Sequence, residues 1–123
     1  MPDAGLPGEG TPGAGQGTGG GVMVVINWVA NPFRGDKFED AWRPACEATL
    51  KYGATWWALL RASDGRLDFT QLALFPDKLS FDRYWYSEEI AEARALASGL
   101  FQVPVLPTFH EVSGLGAMAP QPV

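Results

Sequence analysis

A chain of 123 residues that is 46% hydrophobic and 12% aromatic has material for one packed core and not for two. Its net charge of −5, with nine Lys and Arg against fourteen Asp and Glu, excludes the clustered basic surface on which nucleic-acid or anionic-membrane binding rests. A single cysteine, Cys46, and a single histidine, His110, exclude an internal disulfide and a structural metal held by Cys and His ligands.

In chain order, residues 1–21 consist mainly of Gly, Pro, Ala and Thr and cannot bury enough apolar surface to offset the entropy of ordering, which predicts a disordered tail. Gly15, Gly17 and Gly20 match the spacing of a dinucleotide-binding loop, but such a loop follows a strand and opens a helix, and here nothing structured precedes it. A second reading takes the Gly run as translated upstream sequence, with Met23 the true start. The N-terminus carries neither segment of a secretory signal, and no run approaches the roughly 18 apolar residues of a membrane span, so the expected location is cytoplasmic.

Residues 22–30, VMVVINWVA, form a β-branched apolar run closed by Asn31-Pro32 and read as a buried strand. After Gly35, Asp36 with Glu39 three residues on has the form of a capping box. Phe38, Ala41, Trp42, Ala45, Thr49 and Tyr52 then recur at helical spacing up to Gly53. Pro44 inside this stretch predicts either a kink or a helix that begins afresh there. Residues 54–62 and 66–75 flank Ser63-Asp64-Gly65, and Asp-Gly between two apolar runs predicts an antiparallel hairpin. Residues 78–98 read as a helix in two pieces, with Ser87 a local cap and Gly99 the stop. Residues 103–112 make a last strand whose Pro104 and Pro107 place it at a sheet edge or interrupt its ladder, and residues 114–123 are read as a flexible tail.

The order β-α-β-β-α-β is the split βαβ motif, so the fold class is α+β, with one ferredoxin-like antiparallel sheet over residues 22–113 and two helices on one face. The first strands are apolar on both sides, although helices cover only one. A second copy facing the bare side buries it across a two-fold interface, which predicts a homodimer.

Phe81-Asp82-Arg83-Tyr84-Trp85-Tyr86-Ser87-Glu88-Glu89, followed by Glu92-Ala93-Arg94, resembles the second helix of the antibiotic-biosynthesis-monooxygenase-like (ABM-like) superfamily of dimeric alpha/beta barrels. Leu72-Ala73-Leu74-Phe75 and the closing stretch Val105 to Val112 are similar to its third and last strands. The resemblance implies one of several activities. The superfamily includes cofactor-independent monooxygenases of polyketide-derived phenolic rings, heme-degrading enzymes and members without known activity. The heme degraders use an Asn on the first strand, a Trp on the second helix and an iron-ligating His ten residues later. Asn27 answers to the first, Tyr84 (with Trp85 adjacent) to the second and Arg94 to the third, and an Arg does not ligate iron as a His does.

In a cofactor-free oxygenase the substrate anion supplies electrons to O₂, and the protein supplies a dry aromatic pocket with a few hydrogen bonds. The resemblance therefore implies catalytic roles for Asn27, Tyr84 and Trp85, contacts to a small aromatic molecule from Trp57, Gln71, Arg94 and His110, and no cofactor. Each residue also has a structural reading. Asn27 in an apolar strand needs a hydrogen bond, to backbone or to ligand. Trp56 and Trp57 project to opposite sheet faces and serve core packing or ligand stacking. His110 suits acid/base chemistry by type but lies near a strand end beside Glu111. Arg94 pairs with neighbouring glutamates or with a substrate anion. The alternative to an enzyme is a binding or assembly module whose pocket is filled by its own Trp and Phe side chains.

Overall fold

Val24, Ile26 and Trp28 alternate along β1 (Val22–Val29) and all three are buried, because successive side chains of a strand point to opposite faces. The computed structural model describes residues 21–118, so the tail readings for 1–20 and 119–123 lie outside the described residues.

Helix α1 (Gly35–Glu47) turns Phe38, Trp42, Ala45 and Cys46 inward against β1. The predicted capping box does not form. Arg34 occupies the N-cap without a side-chain cap bond, while Asp36 and Glu39 each accept from Arg61 Nη1 at 2.8 Å. A guanidinium from another strand outcompetes the local backbone for both carboxylates. Pro44 lies within the single helix rather than at a new start, and the chain passes after Glu47 into a 3₁₀ turn, Ala48–Tyr52. Gly53, at φ 103°, ends that turn as predicted.

Strands β2 (Trp56–Arg61) and β3 (Asp68–Phe75) form the predicted hairpin, with a longer connection than the Asp-Gly signal implied. Asp64 accepts from the Arg66 backbone N–H at 3.1 Å and pairs with its guanidinium, which holds the connection open as a loop. The second helical stretch divides into α2 (Lys78–Trp85) and α3 (Glu88–Leu96). Asp77 accepts from Ser80 N–H at 2.8 Å and Ser87 Oγ from Ile90 N–H at 3.2 Å, so each piece has its own cap. The last strand, β4 (Thr108–Glu111), is shorter than the predicted 103–112, since Pro104 and Pro107 have no N–H for a ladder.

The sheet order is β2-β3-β1-β4 with every pair antiparallel, the ferredoxin-like arrangement. All helices lie on one face. There Trp28 packs 4.7 Å from Trp42, 4.9 Å from Phe101 and 5.4 Å from Phe38, centroid to centroid. The other face carries Met23, Val25, Val29, Trp56, Ala58, Leu60, Leu72 and Leu74, interspersed with Asn27, Thr70, Thr108 and His110. No helix covers it, and Leu60 is 50% exposed.

One turn stands apart. Between β1 and α1 the Asn31 carbonyl accepts from Arg34 N–H at 2.9 Å, with Pro32 second and Phe33 third in the turn. Phe33 has φ 64°, a left-handed value that costs a residue with a Cβ on the order of 1 kcal/mol.

Candidate functional site

The space between sheet and helices is organised by one side chain. Gln71 on β3 is 1% exposed, and its Oε1 accepts from Trp42 Nε1 at 2.9 Å and from Trp28 Nε1 at 3.1 Å. Its Nε2 donates to the Tyr84 hydroxyl at 3.2 Å, and Tyr84 in turn donates to the Ala45 carbonyl at 2.7 Å. Both lone pairs of the amide oxygen and the phenolic proton are thereby used. The order of elements makes this convergence possible: β3 lies beside β1, and α1 and α2 lie over both.

Tyr84 is fully buried, and burial holds its phenol well above the ordinary tyrosine range; the Gln71 hydrogen bond works in the other direction and does not offset it. Cys46, buried on α1, is pushed up to about 12, first by burial and then by Glu47. Neither group serves as a base or nucleophile at neutral pH, since both stay protonated.

Trp85 lies at the margin of this core, stacked on Phe81 with 5.6 Å between centroids. The Arg94 guanidinium carbon sits 4.4 Å from its ring centroid, and Arg94 Nη1 donates to the Trp85 carbonyl at 2.9 Å. Arg94 thus clamps α3 to the end of α2 rather than pairing with a glutamate.

The sequence-predicted residues fall into two groups separated by the sheet. Gln71, Tyr84, Trp85, Arg94 and the half-buried Trp57 share the helix side. Asn27 does not join them. It is exposed on the helix-free face, where its Oδ1 meets Thr70 Oγ1 at 3.5 Å, and its neighbours along β1 are the residues that point inward. His110 lies on that same face, with Nε2 3.0 Å from Thr108 Oγ1. The expected pocket lined jointly by Asn27, Tyr84 and Trp85 is therefore not formed, because a one-residue change of position along a strand reverses the face. Sequence reasoning passed over Trp28 and Trp42, the two indoles that bind Gln71. The signal for Trp28 was its place in step with Val24 and Ile26, and for Trp42 its place on the apolar stripe of α1.

Two depressions among the described residues lie elsewhere. One of about 400 Å³ is flanked by Phe33, Asp36, Arg61 and Leu67, and one of about 310 Å³ lies between α1 and α3.

No known protein family and no curated protein matches the sequence. Solved structures do match the fold. SnoaB, a cofactor-independent oxygenase from Streptomyces nogalater, is 14% identical with a TM-score of 0.67, over 78% of this chain and 96% of that one. An antibiotic biosynthesis monooxygenase matches at 14% identity and TM-score 0.66, over 76% and 99% of the two chains. A conserved protein from Methanosarcina mazei Go1 matches at 19% identity and TM-score 0.66, over 75% and 92%. At these identities the likeness is one of fold. The chain thus has the ABM-like, ferredoxin-type α+β fold.

Proposed function

We propose that this chain is a homodimeric assembly module on the ABM-like fold, which works through its surfaces and keeps its inner space as a core. The observation that carries this reading is the Gln71 network. The amide oxygen of Gln71, one of its N–H groups, both indole N–H groups and the Tyr84 proton are spent on protein partners, and Trp28, Trp42, Phe38, Tyr84 and Trp85 fill the volume around them. A ligand there must strand at least one buried donor or acceptor, at about 1–3 kcal/mol each.

The helix-free face supports the homodimer: Met23, Val25, Trp56, Leu60, Leu72 and Leu74 lie together on it with few polar residues between them. Two copies bury that surface against each other at the least cost in new contacts. A cytoplasmic location accords with a lone free cysteine and the absence of any second one to oxidise with it.

A second reading is favoured by the fold shared with SnoaB: oxygenation of a small aromatic molecule without metal or flavin. In that reaction the ionised substrate is oxidised by O₂, one oxygen atom entering the product and the other leaving as water. It requires the core to open, with Tyr84, Gln71, Trp57, Trp85 and Arg94 around the substrate and with Asn27 and His110 excluded by the sheet.

Oxygen uptake with hydroxylated anthrones and naphthols, together with tryptophan fluorescence during titration by the same compounds, separates the two. The assembly reading expects uptake equal to a protein-free blank and no saturable quenching. Saturable quenching with protein-dependent uptake that is lost in Tyr84→Phe refutes it in favour of the oxygenase.

A further inference from the structure

Phe33 is a large aromatic residue in the turn position that glycine or asparagine ordinarily fills, and it is 98% exposed. Its own fold therefore supplies no contact that offsets either the backbone conformation or the exposure of the ring to water. The turn is nonetheless firmly held: Asn31 N–H donates to the Leu100 carbonyl at 2.9 Å and Asn31 Nδ2 to the Gly99 carbonyl at 2.7 Å. Arg34 and Lys37 follow Phe33 one and four residues on, both exposed and in no ion pair among the described residues, while Asp36, which flanks the same depression as Phe33, is neutralised by Arg61. The result is a rigid apolar knob with free positive charge.

The same chain carries a counterpart. The 310 Å³ gap between α1 and α3 is lined by the apolar Ala41, Pro44, Ala45, Ile90, Ala93 and Leu96 and by Glu89, which is paired with Lys51 at 2.6 Å, with Leu96 85% exposed at its rim. Helical spacing places Asp40 and Glu47 beside Pro44 and Glu92 beside Leu96. All three carboxylates are exposed, and none joins an ion pair among the described residues. The gap is apolar, wide enough for a ring, and bordered by free negative charge.

We infer that Phe33 of one copy seats in the α1–α3 gap of another, with Arg34 and Lys37 facing Asp40, Glu47 and Glu92. Charge sign and apolar character match patch for patch, and both patches belong to this one sequence, so the occupant is a second copy. The contact joins two different surfaces, unlike the sheet-face pairing of the proposed function, and so extends association beyond a closed pair. It stands whether or not that pairing occurs.

Sedimentation velocity on the full chain, across about two decades of concentration at low and high salt, tests it. Species larger than the sheet-face pair are expected to grow with concentration and recede as salt rises. Phe33→Gly removes the knob and relieves the turn, so it is expected to weaken this association at least about tenfold while leaving the melting temperature equal or higher. Ala93→Trp fills the gap and is expected to do the same, and Glu92→Lys on the exposed rim gives a loss that involves no packing change. Mixing Phe33→Gly with Ala93→Trp pairs an intact gap with an intact knob and is expected to restore association between the two variants. Leu72→Arg, aimed at the helix-free face, is expected to leave this contact intact. Wild-type protein that forms nothing beyond the sheet-face pair, a Phe33→Gly variant that associates as strongly as wild type, or variants that fail to complement each other would overturn the assignment.

Discussion

Gln71 and Asn27 are amides on adjacent strands, in neighbouring registers, and they face opposite sides of the sheet. Gln71 lies under the helices, 1% exposed, and spends its oxygen on two indoles and one N–H on a phenol. Asn27 lies on the uncovered side, exposed, with a single 3.5 Å contact to Thr70. Residue type does not distinguish them. What differs is the layer above each one, which makes one amide an internal fastener and leaves the other available to a partner.

The sharpest way to break this comparison is to remove the fastener. Gln71→Ala strands the Trp28 and Trp42 indole N–H groups and opens a void, and is expected to cost about 3–5 kcal/mol in chemical denaturation. Asn27→Ala is expected to stay within about 0.5 kcal/mol. Comparable losses in the two variants would mean that the helix side is not the closed one.

On the other face the expected effect is on mass rather than folding. Leu72→Arg puts a charge at the centre of the helix-free surface, and light scattering at low micromolar concentration and high salt, where the Phe33 contact recedes, is expected to report the 13.3 kDa of one chain where wild type reports twice that. A wild-type protein that already scatters as a single chain removes the homodimer.

A smaller effect is expected at the margin of the core. Arg94→Ala loses the stacking on Trp85 and the bond to its carbonyl, with a loss of about 1 kcal/mol and a red-shifted tryptophan emission as Trp85 gains water. An unshifted spectrum would mean that the guanidinium does not shield the ring.

The smallest effect belongs to neither face and calibrates the rest. Asp77 caps α2, and its bonds from Ser80 hold its carboxyl below the usual carboxylate range. Because the folded value lies below the unfolded one, the charge contributes stability above the ordinary aspartate range and loses it as pH falls through the folded value. Asp77→Asn keeps the cap, so it is expected to change neutral-pH stability by less than about 0.5 kcal/mol and to flatten the acid limb of the stability profile. An unchanged acid limb would mean that the cap charge contributes nothing.

Much of the fold was legible in the sequence because its signals are local. Ser87 caps α3, Gly53 and Gly99 end their elements, and the paired runs around Asp64-Gly65 form the hairpin, each through contacts within a few residues. The site was less legible because its contacts are distant. Gln71 meets Trp42 and Trp28 across 29 and 43 residues of chain, and no spacing rule links them. The capping-box expectation for Asp36 and Glu39 failed in the same way, since Arg61 reaches them from another strand. Asn27 was grouped with Tyr84 and Trp85 although the sheet separates them, because β1 is apolar at both parities and the alternation that identifies a strand did not identify its inner edge.

A hub with three partners also sets the arithmetic of multiple substitution. Once Gln71 is gone, Trp28, Trp42 and Tyr84 have already lost their shared connection, so a second replacement among them has less left to remove. Losses at these four positions combine to less than their sum, and the quartet behaves as a single cooperative unit whose members cannot be exchanged one at a time without first losing the benefit of all.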